Sequence, residues 1–306
     1  MINWLFLSIF AYVLFAFSSI TDRYLLAGSL PHPRAYAFYT GITGIFAVVL
    51  IPWGFEFLSP AMTVFSLFAG VVSVLALYAS YRAVFYSGVS RIVPMVGALF
   101  PVFTFLLFSL FARESVSISQ NELAAFILFI IGTVFLSLEG SLKRFRPSWF
   151  DIRNSVLVGF LFALAFVLAK EVYDAEGFVN GLIWTRWGGF LTALSFLAFP
   201  ATRKVVFRGR KNPATQHRVF IPFLLGKGTG AVAFLAQQYA ISIARNFQLT
   251  MISALQGVQY LVLLILVAIL SFKNPKLLDE EVKGVNALWR LLGMICIAAG
   301  FVVFAL

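Results

Sequence analysis

Acidic residues are scarce in this 306-residue chain, with 12 Asp and Glu against 23 Lys and Arg, and charged residues of both signs make up only 11% of it. Soluble domains carry about a quarter charged residues, so that class is excluded. Cysteine is nearly absent. The single Cys296 rules out an intrachain disulfide and says little about redox compartment. Histidine is equally rare. His32 and His217 both fall in connections between apolar stretches, Cys296 has no histidine near it in sequence, and neither HExxH nor GxSxG occurs. No nucleophile or metal cluster can be assembled from these residues. The chain is therefore read as not an enzyme, with no catalytic residues, no metal and no cofactor.

What is present in abundance is apolar surface: 61% hydrophobic and 17% aromatic residues, with a mean hydropathy of +0.95. This composition predicts an integral membrane protein whose first partner is the lipid bilayer. A net charge of +11 would suggest nucleic acid in a soluble protein. Here the basic residues lie almost entirely between apolar segments, so they report topology and no nucleic-acid partner is expected. The start, Met1-Ile2-Asn3, lacks a basic side chain and the first apolar run is too long for an h-region, so no cleavable signal peptide is expected.

Ten segments are long enough to cross about 30 Å of hydrocarbon as helices: 4–26, 34–52, 60–86, 90–112, 120–140, 154–175, 180–200, 218–243, 247–272 and 287–305. The connections are short and carry the breakers Pro31, Pro33, Pro60, Pro147, Pro213 and Pro275. The expected fold class is an all-α membrane protein of ten transmembrane helices. Alternate connections differ sharply in charge. The odd ones hold 17 Lys and Arg, the even ones hold Arg113 and Arg245, and Arg82, Lys170, Arg186 and Lys227 remain within segments. By the positive-inside rule the odd connections face the cytoplasm, which places both termini on the non-cytoplasmic side of a cell membrane.

The two halves look related. Phe15-Ala16 matches Phe162-Ala163, and the run continues to Asp22-Arg23 against Lys170-Glu171. Ala98-Leu99-Phe100-Pro101-Val102 is answered by Ala254-Leu255-Gln256-Gly257-Val258, and segments five and ten both carry an internal glycine, Gly132 and Gly293. Two halves with an odd number of crossings enter the membrane in opposite directions, the inverted-repeat plan of many secondary transporters. The expected division is a first five-helix repeat over 1–140, a basic linker over 141–153 and a second repeat over 154–306.

With these tracts in view, the chain resembles the drug/metabolite transporter superfamily in its ten-helix form with two EamA-like halves. The resemblance is carried by residues 91–114, where Pro94 and Pro101 sit inside an apolar helix ending in Arg113-Glu114. Its counterpart runs from Phe247 to the acidic group Asp279, Glu280 and Glu281. It covers nearly the whole chain, and it implies a substrate cavity between the halves reached alternately from the two sides. Gly257 departs from the pattern by standing where the first half has Pro101. The family's members are often drawn with cytoplasmic termini, opposite to the charge count here.

Candidate site residues follow from the polar groups inside apolar runs. Residues 224–238 contain Gly226-Lys227-Gly228-Thr229-Gly230, then Gln237-Gln238. A lysine at a helix centre costs roughly 3 kcal/mol on insertion scales, so it is read as part of a pathway or binding site. Gly226 and Gly230 also form a small-xxx-small face that lets two helices approach, with Lys227 as a structural ion-pair partner in that reading. Helical offsets place Lys227, Ala231, Phe234 and Gln238 on one face. Segment seven sets a guanidinium between two indoles in Trp184, Arg186 and Trp187. Segment three offers Tyr78 and Arg82 as an i, i+4 pair with Tyr81 beside them, and segment nine offers Gln256 and Gln259 with Tyr260. Each aromatic also fits packing or an interfacial belt.

Asp22-Arg23 and Lys170-Glu171 occupy matching places near opposite membrane faces. Adjacent helical residues point about 100° apart and form no good ion pair with each other, so each finds partners elsewhere as a gate or proton relay, or snorkels at a helix end. The expected function is a secondary transporter of a small polar, anionic or zwitterionic metabolite, such as an amino acid, sugar phosphate or nucleotide sugar. It works by alternating access as a monomer or homodimer, with a coupling proton or a counter-substrate. The alternatives are an exporter of organic cations through an aromatic-lined cavity and a channel, against which the absence of repeated polar rings counts.

Overall fold

The computed structural model describes residues 3–26, 33–111, 118–137, 148–207, 213–245, 247–273 and 287–306. Within these, the side chains of 20–26, 89, 90, 111, 213–225, 227, 268, 270–273, 287 and 288 lie outside the description. All described regular structure is helical. The order is α1 (Trp4–Leu26), α2 (Pro33–Ile42) continued by a 3-10 helix (Thr43–Trp53), α3 (Pro60–Ser87), α4 (Val89–Phe111), α5 (Gln120–Ser137), α6 (Trp149–Glu176) and α7 (Phe178–Ser195) with a short 3-10 extension. It continues with α8 (Pro200–Phe207), α9 (Pro213–Ile243), α10 (Gln248–Ala254), α11 (Gln256–Lys273) and α12 (Ala287–Ala305). Where it is described, each apolar stretch expected from the sequence is mainly helical.

Six described helical segments are long and apolar enough to cross a membrane, or seven if the bent pair from Phe178 to Phe207 is one span. The surface agrees. Phe46, Val64 and Leu110 expose 70%, 68% and 80% of their area. Such side chains would favour aggregation in water but meet an equally apolar medium in lipid.

Helix ends follow local chemistry. Ser148 caps α6 by accepting from the Asp151 amide, and Asp151 accepts in return from the Ser148 amide at 2.9 Å. A cap of this kind contributes about 1 kcal/mol. Single residues, Gly88 and Gly177, join α3 to α4 and α6 to α7 with φ of 83° and 74°, a left-handed turn that L side chains resist. Near Pro101, α4 stays one continuous helix, whereas the matching stretch breaks between α10 and α11 at Leu255. Tyr12 of α1 donates to the Ile252 carbonyl oxygen at that break at 2.8 Å, supplying a bond where the helical ladder is interrupted.

The helices pack as a bundle. The principal pairs are α1 on α9, α5 on α12, α6 on both α3 and α4, and α7 on α3 and on α2 with its 3-10 extension. The Gly226 and Gly230 face of α9 lies against α1: Ser18 Oγ donates to the Gly226 carbonyl at 3.0 Å, and a methyl group at Gly230 would come within 2.8 Å of that hydroxyl. This is the close approach expected of a small-xxx-small face. Connections alternate between the two ends. Arg91, in the first turn of α4, pairs with Asp151, at the start of α6, at 3.5 Å, and Arg34 of α2 covers Phe199 at 4.4 Å at that same charged end. At the other end the Asn180 side chain accepts from the Glu56 amide at 3.1 Å.

Candidate functional site

Arg186 lies near the middle of α7, eight residues and so about 12 Å beyond the first residue of that helix, Phe178. Its side chain is half-buried. The guanidinium donates through Nη2 to Thr43 Oγ1 at 3.0 Å, at the junction between α2 and its 3-10 extension, and its Cζ lies 4.6 Å from the centroid of Phe234 on α9. One arginine thus reaches two elements that do not pack closely on each other among the described residues. Guanidinium carries five N–H donors, and the bond to Thr43 uses one. No described carboxylate pairs with it.

A second layer sits between α6 and α9. Tyr173 donates to Gln238 Oε1 at 2.7 Å, with both side chains buried, and the tyrosine lies within electrostatic reach of Arg186. One turn nearer the helix start, Lys170 is 7% exposed. Its ammonium pairs with Asp174 at 2.5 Å and donates to the Ser242 carbonyl oxygen of α9 at 3.2 Å. Glu171 is half-buried beside it. A buried ammonium is costly unless paired, and here a carboxylate and a peptide dipole offset the cost.

Other residues expected at the site fall elsewhere. The indoles of Trp184 and Trp187 do not sandwich Arg186. They meet each other at 5.4 Å and stack around Phe55 at 5.8 and 5.6 Å, and Trp184 Nε1 donates to the Glu56 carbonyl at 3.1 Å. The reason is helical angle: positions 184 and 187 share a face, while 186 turns about 100° from 187. Tyr78 rests on Phe196 and Tyr81 on Tyr36, about two turns of α3 from the level of Arg186, and Arg82 is exposed. Gln256 donates to Tyr260 Oη at 3.2 Å and Gln259 to Ser19 Oγ at 3.2 Å, a polar seam joining α11 to itself and to α1. The side chains of Lys227, Asp22 and Arg23 lie outside the described residues.

No family model matches this chain, and no curated protein does. Among solved structures, one described only as "Crystal structure of protein" shares the fold with a TM-score of 0.67 and 13% identity, covering 96% of this chain and 94% of that one. At that identity the likeness is one of fold alone.

Sequence reasoning missed Asp174, Tyr173 and Thr43. Asp174 had a usable signal, since it stands at i+4 from Lys170 on a helix. Thr43 had none, because its contact with Arg186 spans 143 residues of sequence.

Proposed function

We propose that this chain is a secondary transporter in which ten membrane-crossing segments form two inverted five-helix halves, and that Arg186 is its anion-binding group. The observation that carries this reading is a guanidinium at mid-helix depth in an apolar bundle, held by a hydroxyl and an aromatic face with no described carboxylate to neutralise it. Such a charge costs about 2.5–3.5 kcal/mol on insertion scales. The Thr43 hydroxyl and the Phe234 face offset part of that cost, and a carboxylate or phosphate binding with bidentate geometry would offset more of it. The substrate class is a small anionic or zwitterionic metabolite. Gln238, held by Tyr173, and Phe234 supply amide and aromatic surface beside the cation, and Lys227 on the same helix is the second cationic candidate.

Packing supports the repeat. If segment n of one half corresponds to segment n of the other, α1 on α9 answers α3 on α6, and α1 on α11 answers α4 on α6. The pairs α5 with α12, α2 with α7 and α4 with α10 each answer themselves. Several pairs break the pattern: α5 on α11, α6 on α7 and α6 on α9 have no close counterpart among the described residues, and the largest break lies at α7. α3 packs closely on α7, yet its counterpart, α9 on α2, is not a close pair among the described residues. A machine that exchanges these two arrangements opens alternately to the two sides, and Arg186 sits at the unpaired seam. Asp22 and Arg23 at one end, with Lys170 and Glu171 at the other, are the gating or proton-relay candidates.

The test is ligand binding by purified protein against panels of anionic and cationic metabolites, read as a thermal shift and repeated with Arg186→Gln. An anion that stabilises the parent and loses about ten- to hundredfold affinity in the variant is the expected result, matching a charged hydrogen bond of about 1.5–3 kcal/mol. Stabilisation by organic cations alone would support the aromatic-cage exporter instead, and unchanged anion affinity in Arg186→Gln would remove the arginine from the site.

A further inference from the structure

The bend between α7 and α8 gathers a second cationic surface, well separated from Arg186. α8 lies at 102° to the span Phe178–Ala198, so if α7 crosses the membrane, α8 runs along its plane. Its inward side carries Thr202, fully buried, and Val206, whose carbonyl oxygen accepts from Tyr39 Oη of α2 at 3.5 Å. Its outward side carries Pro200, Arg203, Lys204 and Phe207, all exposed, and Phe199 just before the helix is exposed too. Offsets of four place Phe199, Arg203 and Phe207 in one row. Arg34 of α2 joins them from the side, with its guanidinium 4.4 Å from the Phe199 ring. No described carboxylate pairs with Arg34, Arg203 or Lys204.

Two other placements of α8 fit poorly. If it re-entered hydrocarbon, Arg203 and Lys204 would each cost about 2.5–3.5 kcal/mol. If it stood clear in water, Phe207, 70% exposed, would gain nothing from its position. At the interface the phenyl rings enter the acyl boundary while the cations stay among headgroups. The sequence continues into Arg208, Arg210 and Lys211, which adds basic charge next to the helix in the chain.

We propose that the α7–α8 elbow binds the headgroup of an anionic phospholipid, held by Arg34, Arg203 and Lys204, with Phe199 and Phe207 in the acyl boundary. The proposal rests on membrane placement and is independent of what the protein transports. The full chain is reconstituted in phosphatidylcholine nanodiscs doped with a diazirine-bearing phosphatidylglycerol or a diazirine-bearing phosphatidylcholine, photolysed, and its labelled peptides are mapped. Residues 199–207 should label several-fold more with the anionic lipid. Arg203→Gln/Lys204→Gln should bring that ratio towards one, since each cation near an anionic surface gives a preference on the order of five-fold. Arg153→Gln removes a cation at the same membrane face, where Arg153 lies 5.6 Å from the Phe150 ring, and should leave the ratio unchanged. Equal labelling by the two lipids in the parent protein overturns the proposal, as does a phosphatidylglycerol excess that survives in the double variant. A loss of that excess in Arg153→Gln as large as in the double variant shows general surface attraction and overturns it too. No labelling at 199–207 by either lipid refutes the in-plane placement itself.

Discussion

Gly132 of α5 and Gly293 of α12 face each other where their two helices cross: a Cβ built on Gly132 would lie 3.1 Å from the Gly293 carbonyl oxygen and 2.6 Å from Ile297 Cγ1. A Cβ on Gly293 would meet the Leu136 backbone nitrogen at 3.0 Å. In the proposed repeat these glycines hold corresponding places, so the crossing lies where a two-fold axis would relate each helix to the other. Backbone packed against backbone leaves no room for a larger side chain. Gly132→Leu and Gly293→Leu should each lower stability by about 1–3 kcal/mol, the usual cost of overpacking. Thermal unfolding in detergent checks this, and an unchanged midpoint in both variants would show that the crossing yields easily.

The Lys170–Asp174 pair should respond asymmetrically to removal of its members. Lys170 is buried, whereas the Asp174 side chain is 54% exposed. Lys170→Met leaves a carboxylate that water can solvate, so it should be nearly neutral. Asp174→Asn leaves a buried ammonium with the Ser242 carbonyl as its remaining described acceptor and should cost about 1–3 kcal/mol. The relative midpoints of the two variants decide the matter, and a larger loss in Lys170→Met would contradict this assignment.

Lys227 has a prediction that rests on sequence and on the glycines beside it. Gly226 and Gly230 make the contacts with Ser18 of α1, so Lys227→Met should keep the α1–α9 packing and the fold while losing most affinity for an anionic substrate. Lys227→Arg should restore binding only partly, because a forked guanidinium does not reproduce a compact ammonium. Uptake into proteoliposomes at matched protein amounts is the readout. Parental affinity in Lys227→Met would assign the lysine to structure.

Orientation can be checked separately from transport. The 17 to 2 imbalance of basic residues between alternate connections predicts both termini on the non-cytoplasmic side. A C-terminal phosphatase fusion, active only outside the cytoplasm, should therefore be active, and a fluorescent fusion that matures only in the cytoplasm should stay dark. The reverse pattern would mean that the charge rule is overridden here.

Much of the architecture was legible in the chain itself, because a helix in lipid must satisfy its own backbone and therefore writes itself as a long apolar run. The positions of the described helices follow from that local rule, and the glycines at 132 and 293 and the Gly226–Gly230 face could be read from the same runs. What only the tertiary structure decided is which face meets which neighbour. Arg186 was visible as a cation in an apolar helix, but its turn away from Trp184 and Trp187 towards Thr43 and Phe234 depends on where α2 and α9 lie. Lys170 was visible too, while its hold on the Ser242 carbonyl depends on α9 crossing α6 at that height. Helical periodicity fixes the angle of a side chain about its own axis, and the partner at that angle comes from a distant part of the chain through packing that no local pattern encodes.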